Sequence, residues 1–379
     1  MNIGIDATNI KAGGGLVHLA RLLENYDIEE HKIYIVGGEW INIIKKRKWF
    51  HFIIIENIFS NPIKQEFFKK FKLPSLLEEN DIIFAPGGTF LSKKKPYISM
   101  SQNMLVFEKK ERNRYPKSLN WLRYILLEYL QVRSFRKASG IIYISEYAKN
   151  YIQNKYPGLK KIKSKVIYHG ISDEFKNHPQ TQFSIDKYTK EKPYKLLYVS
   201  IINFYKHQWN VVEVVKRLRS ENFNIELELV GPMYKPAQKK FKNSLVGTDT
   251  YIKYLGKIEY NQVPALYTNA NLFIFASTCE NMPNILLEAM SSGLPILSSD
   301  YGPMPEVLKD AGEYINPTDI NSIYNGLKKL LLNPSRRQEI AQKAFIYSQK
   351  YSWQKTTEET FKFIEEIYNS NQIAQQAYQ

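Results

Sequence analysis

The fold is decided by the stretch Ser277-Thr278-Cys279-Glu280-Asn281-Met282-Pro283-Asn284-Ile285-Leu286-Leu287-Glu288-Ala289-Met290-Ser291-Ser292-Gly293-Leu294-Pro295. An apolar strand is predicted just before it, at residues 271–275, and a helix within it, at residues 284–292. Pro283 suits the start of this helix, where a missing N–H costs nothing, and Gly293 suits its end. A strand, a loop and a helix N-terminus in this order direct free backbone N–H groups to the carboxyl edge of a sheet. This arrangement favours binding of a diphosphate.

Two glutamates in this stretch differ in their surroundings. Glu288 lies among apolar residues on a helix that should be mostly buried, and burying a carboxylate without partners is costly. One interpretation is that Glu288 caps a helix or forms a salt bridge within the fold. The other is that it accepts hydrogen bonds from ligand hydroxyls, such as the vicinal diol of a ribose. Glu280, in the loop, would then face the reacting end of the same ligand.

Apolar runs alternate with helical patterns along the chain, which predicts an α/β fold of two doubly wound domains in series, with a cleft between them. Strands are predicted at 2–6, 32–36, 52–55, 81–84, 96–100, 141–144, 165–168, 195–200, 224–230, 251–255, 271–275, 294–297 and 313–315. Helices are predicted at 16–26, 64–72, 119–137, 146–154, 207–219, 265–269, 284–292 and 319–332. A polar stretch at 178–193 lacks periodicity and is interpreted as a linker.

The composition bounds the class of protein. With 379 residues the chain is long enough for two domains with separate cores, and its 44% hydrophobic and 24% charged residues are typical of a soluble globular protein. No apolar run approaches the roughly 18 residues of a membrane-spanning helix. The N-terminus lacks the pattern of a signal peptide, and the single cysteine, Cys279, excludes an intramolecular disulfide. We therefore expect a cytoplasmic location.

The positive charge is concentrated in the first half of the chain. Residues 1–190 contain 32 Lys and Arg and 18 Asp and Glu, which accounts for +14 of the net charge of +16. A lysine-rich composition that keeps a protein soluble explains part of this excess but not its asymmetry. The first half is expected to face an anionic membrane leaflet, a phosphorylated acceptor or a nucleic acid.

A longer run that contains the two glutamates resembles the signature of glycosyltransferase family 4, the large retaining family with the GT-B fold. The run includes Glu280, Glu288-Ala289-Met290, Gly293-Leu294-Pro295, Gly302, Pro305-Glu306-Val307 and Ala311-Gly312. The resemblance implies that Glu280 contacts the donor sugar and acts as the catalytic residue, and that Glu288 holds the ribose. Loop amides near Met282 and Asn284 would meet the donor.

Other parts of the chain also resemble this family. The loop that contains Gly14 and Gly15 corresponds to the family's glycine-rich loop near the donor phosphates or the acceptor. Contacts to the base are implied for the backbone near Gly231 and residues 253–256. The tail that begins at Tyr351 resembles the family's closing helix. The implied domains are residues 1–185 with the helix 353–379 on the acceptor side, and residues 190–352 on the nucleotide-sugar side.

Two positions depart from the family pattern. Lys206 occupies the place of a lysine that binds the donor diphosphate, but Ile201 stands where the family commonly has an arginine. Gln102 and Asn103 replace a His-Asp pair, as they do in a subset that includes enzymes of surface-polysaccharide assembly. These amides either hydrogen-bond the donor sugar or cap the following turn, and they cannot act as acids or bases near neutral pH.

The predicted function is retaining transfer of a hexose from a GDP- or UDP-sugar to a lipid-linked or oligosaccharide acceptor, as in O-antigen, lipopolysaccharide or capsule synthesis. GDP-mannose is favoured by the Gln102–Asn103 resemblance. The sequence has no Asp-x-Asp pair and no metal-ligand spacing, so no metal and no cofactor besides the donor substrate are expected. The resemblance implies front-face attack, in which the leaving phosphate helps to deprotonate the acceptor.

Other functions are compatible with the same sequence features. A nucleotide-sugar epimerase or a phosphorylase on the same fold shares these features, and a basic chain rich in aromatic residues also suits a nucleic-acid-binding protein. No nucleic-acid motif is present, so no nucleic-acid partner is expected. Peripheral contact with the inner face of an anionic membrane is predicted through residues 45–50 or the helix at 121–135. The alternative for that helix is a core helix with a solvated basic face.

Overall fold

The computed structural model describes residues 1–11, 13–56, 67–90, 95–116 and 119–376. The chain divides into two compact units. Unit 1 comprises Met1–Phe107, Lys117–Gly170 and Tyr351–Gln379, and unit 2 comprises Glu108–Pro116 and Ile171–Lys350. These bounds differ from the predicted domains at three places: residues 171–185 and the segment Glu108–Pro116 belong to unit 2, and residues 351–352 belong to unit 1. Residues 171–185 contact unit 2 at several points; for example, Ser292 Oγ donates a hydrogen bond to Phe175 O at 2.9 Å.

Unit 1 is built around a seven-stranded sheet in which every described pair of neighbours is parallel. The strand order is β3-β2-β1-β4-β5-β6-β7, which winds outward from β1 in both directions, as in doubly wound folds. The strands are β1 (Asn2–Asp6), β2 (Lys32–Gly37), β3 (Phe50–Ile54), β4 (Ile82–Ala85), β5 (Tyr97–Ser101), β6 (Gly140–Tyr143) and β7 (Ser164–Val166).

Unit 2 repeats this design with six strands in the order β10-β9-β8-β11-β12-β13, again all parallel. The strands are β8 (Tyr194–Val199), β9 (Ile225–Val230), β10 (Ile252–Gly256), β11 (Leu272–Phe275), β12 (Ile296–Ser299) and β13 (Glu313–Ile315). Every residue of β11 and β12 is buried, because helices cover both faces of a parallel sheet. The fold class predicted from the sequence, two Rossmann-like α/β domains, is confirmed.

The described α-helices, in chain order, are α1 (Gly14–Glu24), α2 (Leu73–Leu76), α3 (Lys109–Arg112), α4 (Leu119–Lys137), α5 (Glu146–Lys155), α6 (Gln208–Ser220), α7 (Gln238–Ser244), α8 (Val263–Asn269), α9 (Asn284–Ser291), α10 (Met304–Leu308), α11 (Ile320–Leu332), α12 (Pro334–Ser348) and α13 (Trp353–Gln376). The predicted helix 64–72 lies partly outside the described residues; its described end is a π-helical turn, Phe68–Lys72. No helix in the described part of the chain is both long enough and apolar enough to cross a membrane.

The C-terminal helix α13 packs on unit 1, as the sequence predicts. The Phe361 ring stacks on Tyr26 with 3.7 Å between ring centroids, and Thr357 Oγ1 donates a hydrogen bond to Leu22 O at 3.0 Å. At the start of α13, the backbone of Trp353 approaches Gly170 so closely that a Cβ there would lie 2.2 Å from Trp353 N. Only glycine fits this crossing of two chain segments.

Candidate active site

The candidate site of unit 2 is formed by two loops that follow adjacent strands. β8 leads into a 3₁₀ turn, Phe204–Lys206, and β11 leads into the loop that carries Glu280. Because β8 and β11 pair in parallel, both loops leave the same carboxyl edge of the sheet. Thr278 N donates a hydrogen bond to Tyr205 O at 2.8 Å, which joins the two loops directly.

Lys206 and Glu280 form an ion pair at this edge. Their side chains are only 5% and 14% exposed, and Ser277 Oγ donates a second hydrogen bond to Glu280 Oε1 at 2.6 Å. The Lys206 ammonium also lies 5.0 Å from the centroid of the Phe275 ring. A buried cation and anion each need such a partner, because a lone charge at this depth is strongly destabilising. The two residues that the sequence assigned to opposite parts of a donor are therefore in direct contact.

Glu288 lies on α9, is buried, and accepts a hydrogen bond from the Tyr267 hydroxyl at 3.0 Å. Burial raises the pKa of its carboxyl to about 7, and hydrogen bonds from Tyr267 and Tyr260 oppose that rise. Of the two interpretations left open above, capping is wrong, because α9 begins at Asn284. Nor does Glu288 have an ion-pair partner among the residues that the structure describes. Its partners are hydroxyl groups, the chemical group that a ribose diol would present.

The remaining predicted residues of unit 2 lie at loops of the same edge. Asn284 is the first residue of α9, and Met282 is buried in the preceding loop. Gly231 follows β9 with φ of 135°, and a Cβ there would lie 2.2 Å from Ser200 O. The tight approach of these two backbones requires glycine at position 231. Gly231 is therefore needed by the fold, in addition to its predicted role in base binding.

Two of the predicted residues of unit 1, Gly15 and Gln102, are neighbours at the end of β5. A Cβ on Gly15 would lie 2.9 Å from Gln102 Oε1, so the start of α1 and Gln102 are neighbours. Gly14 is the first residue of that helix. Asn103 Oδ1 accepts a hydrogen bond from Leu105 N at 3.0 Å and caps the turn Met104–Val106. For Asn103, the capping interpretation therefore matches the observed contact.

Several residues around the ion pair were missed by the sequence argument. Thr278, His207 and Glu111 form a buried chain of polar contacts beside Glu280. No periodic pattern marks them, and Glu111 stands 169 positions before Glu280. Among the described residues, no group of three His, Cys, Asp or Glu side chains is placed to hold a metal ion. A cavity of about 290 Å³ lies beside Tyr267, away from Glu280 and Lys206.

Two parallel sheets in Rossmann order, with a polar site at the carboxyl edge of the second, match the architecture of the GT-B class of glycosyltransferases. Two family models match consecutive parts of the chain: "Glycosyltransferase Family 4" matches residues 12–175 and "Glycosyl transferases group 1" matches residues 180–346. The chain belongs to glycosyltransferase family 4, as the resemblance implied.

Individual proteins are similar over different lengths. The O-antigen chain mannosyltransferase B of Escherichia coli is 32% identical over 110 residues, which is 29% of each chain. The match spans less than two thirds of the length of this relative and of others, such as the sulfoquinovosyl transferase of Arabidopsis thaliana, of which 21% is covered.

Solved structures show the fold over the whole chain. Sucrose-phosphate synthase from Thermosynechococcus elongatus superposes with a TM-score of 0.75 at 14% identity, covering 98% of this chain and 100% of that one. HepE of Anabaena, solved with UDP-glucose, gives a TM-score of 0.72 at 18% identity, covering 98% and 100%. At these identities the likeness concerns the fold alone.

Proposed function

We propose that this protein is a retaining glycosyltransferase that moves a hexose from a nucleotide sugar to a lipid-linked or oligosaccharide acceptor during assembly of a surface polysaccharide. The observation that carries this proposal is the buried Lys206–Glu280 ion pair at the carboxyl edge of the unit 2 sheet, beside a helix start. A cation and an anion held at one edge match the two ends of a sugar diphosphate. The name of the E. coli relative supports an O-antigen type of product.

In this proposal each residue has a distinct contact with the donor. Lys206 leaves Glu280 and binds the diphosphate, together with the N–H groups at the start of α9. Glu280, freed from the ammonium, accepts hydrogen bonds from the hexose, and Glu288 accepts them from the ribose. Gly231 lets the base approach the backbone. The unit 1 residues Gly14, Gly15, Gln102 and Asn103 remain predictions from the family resemblance.

The proposed transfer balances without a metal or a covalent enzyme intermediate. The bond from the sugar C1 to the diphosphate oxygen breaks, and its electron pair stays on the diphosphate. The acceptor hydroxyl oxygen bonds to C1 on the same face, and its proton passes to the leaving phosphate oxygen. Lys206 stabilises the charge that develops on that oxygen, which is the contribution expected of a fixed cation in a water-poor site.

The donor we favour is GDP-mannose, because a mannosyltransferase of E. coli is similar to this chain and because of the amides at positions 102 and 103. UDP-glucose is the second candidate, since the fold neighbour HepE was solved with it. A thermal-shift panel of UDP, GDP, ADP and their sugars separates the two, because a ligand that binds only the folded state raises its apparent stability. A larger shift with UDP compounds than with GDP compounds would overturn the choice of GDP-mannose.

The test of the function itself is transfer that depends on both substrates. The purified protein is incubated with the preferred nucleotide sugar, with and without a lipid-linked or oligosaccharide acceptor, and both free sugar and glycosylated acceptor are measured. A transferase makes product only when both are present. Free sugar formed without acceptor would indicate the epimerase, and turnover that requires inorganic phosphate would indicate the phosphorylase.

We also propose that unit 1 contacts an anionic membrane surface through α4. This helix exposes Leu122, Leu126 and Tyr129 at 56%, 57% and 62%, one helical turn apart, and Arg133 and Arg136 continue the same exposed face. These exposures favour a contact surface over the alternative of a core helix with only a solvated basic face. The other candidate, 45–50, is less suitable: Phe50 is buried in β3, and the Arg47 guanidinium pairs with Asp27 at 2.7 Å.

A further inference from the structure

A glutamate from the first half of the sequence is buried inside unit 2. Glu111 lies on the short helix α3, in the segment Glu108–Pro116, and is only 2% exposed. Its carboxylate accepts a hydrogen bond from Thr278 Oγ1 and pairs with Arg114 Nε at 2.7 Å. The charge of this buried group is therefore balanced within its own segment, and its second contact is with the loop of Glu280.

Thr278 connects both loops of the candidate site. Its backbone N–H donates to Tyr205 O at 2.8 Å, one residue before Lys206, and Glu280 follows two residues after it. The hydroxyl of Thr278 is also 3.2 Å from His207 Nε2. This hydroxyl has one proton, which it donates in the hydrogen bond to Glu111. Its oxygen lone pair can therefore accept a hydrogen bond from His207 Nε2. A change at Thr278 therefore moves the loops on both sides of the ion pair.

His207 adds a strained backbone position to this network. Its φ is 49° and its ψ is 29°, a left-handed conformation that is uncommon for residues other than glycine, although histidine, asparagine and aspartate adopt it more often than other residues do. The strain falls at the junction between the turn that carries Lys206 and helix α6. Such conformations persist only where surrounding contacts impose them, and they concentrate at functional sites. The contact of the His207 ring with Thr278 is one such constraint.

The same segment holds the first loop at a second point. The Tyr115 hydroxyl donates to Asn203 Oδ1 at 2.9 Å, and the Tyr115 ring packs edge-on against Phe204 with 5.4 Å between centroids. Asn203 caps the turn that ends at Lys206. Glu108–Pro116 is thus anchored on both loops of the site, through Tyr115 on one and through Glu111 on the other.

We propose that Glu111 is a positioning residue: through Thr278, it holds the loops that place Lys206 and Glu280 for reaction with the donor. This inference rests on the proposed function. Glu111 does not itself contact the donor. Its carboxylate fixes the Thr278 hydroxyl, and the hydrogen bonds of Thr278 then fix the spacing of the two loops. A hydrogen bond to a buried carboxylate is stronger than one between neutral groups, so its loss should be visible in the rate.

The experiment compares steady-state transfer by the wild type, Glu111→Ala, Glu111→Gln, Thr278→Val and the double variant Glu111→Ala/Thr278→Val. Lys109→Ala, on the exposed side of the same helix, is the matched control. We expect kcat to fall about 10- to 100-fold in Glu111→Ala and Thr278→Val, with a donor KM within about threefold of wild type. The double variant should be no worse than the poorer single variant, because both remove the same interaction.

The variant Glu111→Gln keeps an oxygen that accepts from Thr278, so it should recover most of the rate. This recovery distinguishes a positioning role from a general loss of folded protein. A second control is the fraction of each variant that binds nucleotide, which should equal that of the wild type. Wild-type kcat in Glu111→Ala, or effects that multiply in the double variant, would overturn the inference. If Glu111→Ala does not fold, Thr278→Val decides: a wild-type kcat in Thr278→Val would overturn the inference. A wild type that transfers no sugar to any acceptor instead overturns the proposed function.

Discussion

At the scale of single residues, the contact between Lys206 and Glu280 shows that each side chain has a partner within the protein in addition to its predicted contact with the donor. The family resemblance assigned one to the phosphates and the other to the sugar, yet their side chains neutralise each other. The ion pair offsets the cost of burying the Lys206 side chain, which is 5% exposed, in the absence of a substrate. In the proposed function, binding of a donor exchanges one anionic partner of Lys206 for another, so the cation stays paired throughout.

Glu280→Gln should abolish transfer and also lower the free energy of unfolding, because the buried Lys206 ammonium loses its anionic partner. The amide still accepts hydrogen bonds from Ser277, but it lacks the charge that balances Lys206 and that orients the hexose. We expect kcat to fall at least about 100-fold, the range seen when one fixed polar group of an active site is removed. Steady-state kinetics with the preferred donor checks this, and Glu259→Gln, at an exposed position, is the control. Turnover by Glu280→Gln at the wild-type rate would contradict the site assignment.

Glu288→Gln should stabilise the protein and weaken donor binding. In the folded state the pKa of Glu288 is about 7, while in the unfolded chain it is near 4.5. The folded state thus holds a proton that the unfolded state has lost, and the stability falls as the pH rises from about 4.5 to about 7. Removing the ionisable group should increase the free energy of unfolding at pH 8 by about 2–3 kcal/mol.

Urea unfolding at pH 5 and pH 8 measures this effect, and a gain at pH 8 that disappears at pH 5 identifies Glu288 as its source. Nucleotide binding should weaken about tenfold, because a neutral amide is a poorer acceptor than a carboxylate for the ribose hydroxyls. Unchanged donor affinity in Glu288→Gln would leave the ribose contact without support. A gain equal at both pH values would show that the pKa of Glu288 is the same in the folded and unfolded states.

The sequence predicts candidate residues of the site, but not their mutual contacts. Glu280 and Glu288 are found from their spacing around one helix start, since that pattern is local. The pair of Glu280 with Lys206 spans 74 positions, and the contact of Thr278 with Glu111 spans 167. Such contacts depend on which loops meet at the sheet edge, and no periodicity of the chain encodes that.

At the scale of elements, buried parallel strands were the easiest to predict. β1 and β13 begin and end at the predicted residues, and the other strands differ by a few residues at their ends, because continuous apolar runs mark strands covered on both faces. α3 was missed because four residues carry no helical periodicity. For the same reason, the sequence did not predict that Glu108–Pro116 belongs to unit 2.

The packing of α1 against the start of α13 predicts a pH-dependent stability. The His18 ring is fully buried, packs against the His169 ring at a tilt of 32° with 4.4 Å between centroids, and lies 5.5 Å from the Trp353 ring. Burial, helped by the nearby His169, lowers the pKa of His18 well below its usual value of 6.5. Below about pH 6.5 the unfolded chain binds a proton that the folded chain does not. Stability is therefore complete above that pH and falls as the pH is lowered.

His18→Leu should remove this dependence, with a slope smaller by up to about 1.4 kcal/mol per pH unit between pH 6 and pH 5. Neither ring nitrogen of His18 has a hydrogen-bond partner among the described residues, so the apolar side chain leaves no polar group unsatisfied. Melting temperatures of the wild type, His18→Leu and the exposed control His51→Leu, measured across this range, test the expectation. An acid destabilisation of equal size in all three would assign it to other groups.

At the scale of the whole molecule, the net positive charge is distributed unevenly between the two halves of the chain. Residues 1–190 hold +14 of the net +16, and the exposed apolar row of α4 lies within this basic part. An apolar row with cations at one end suits an interface with anionic lipid, where each cation near the surface contributes about 1 kcal/mol. The sequence predicts the charge asymmetry, but only the structure shows which helix exposes its apolar side chains.

Sedimentation with vesicles tests this surface. The wild type should bind phosphatidylglycerol vesicles at low salt and be released at high salt, while phosphatidylcholine vesicles should bind little, because exposed charges are screened by ions. Leu122→Ser/Leu126→Ser/Tyr129→Ser and Arg133→Gln/Arg136→Gln should each lower the bound fraction at least about tenfold at limiting lipid. The matched control Val246→Ser/Ile346→Ser removes two exposed apolar side chains of unit 2 and should bind as the wild type does. Equal binding by the control and both α4 variants would exclude α4 as the contact, since the charge of the first half alone would then account for the attraction.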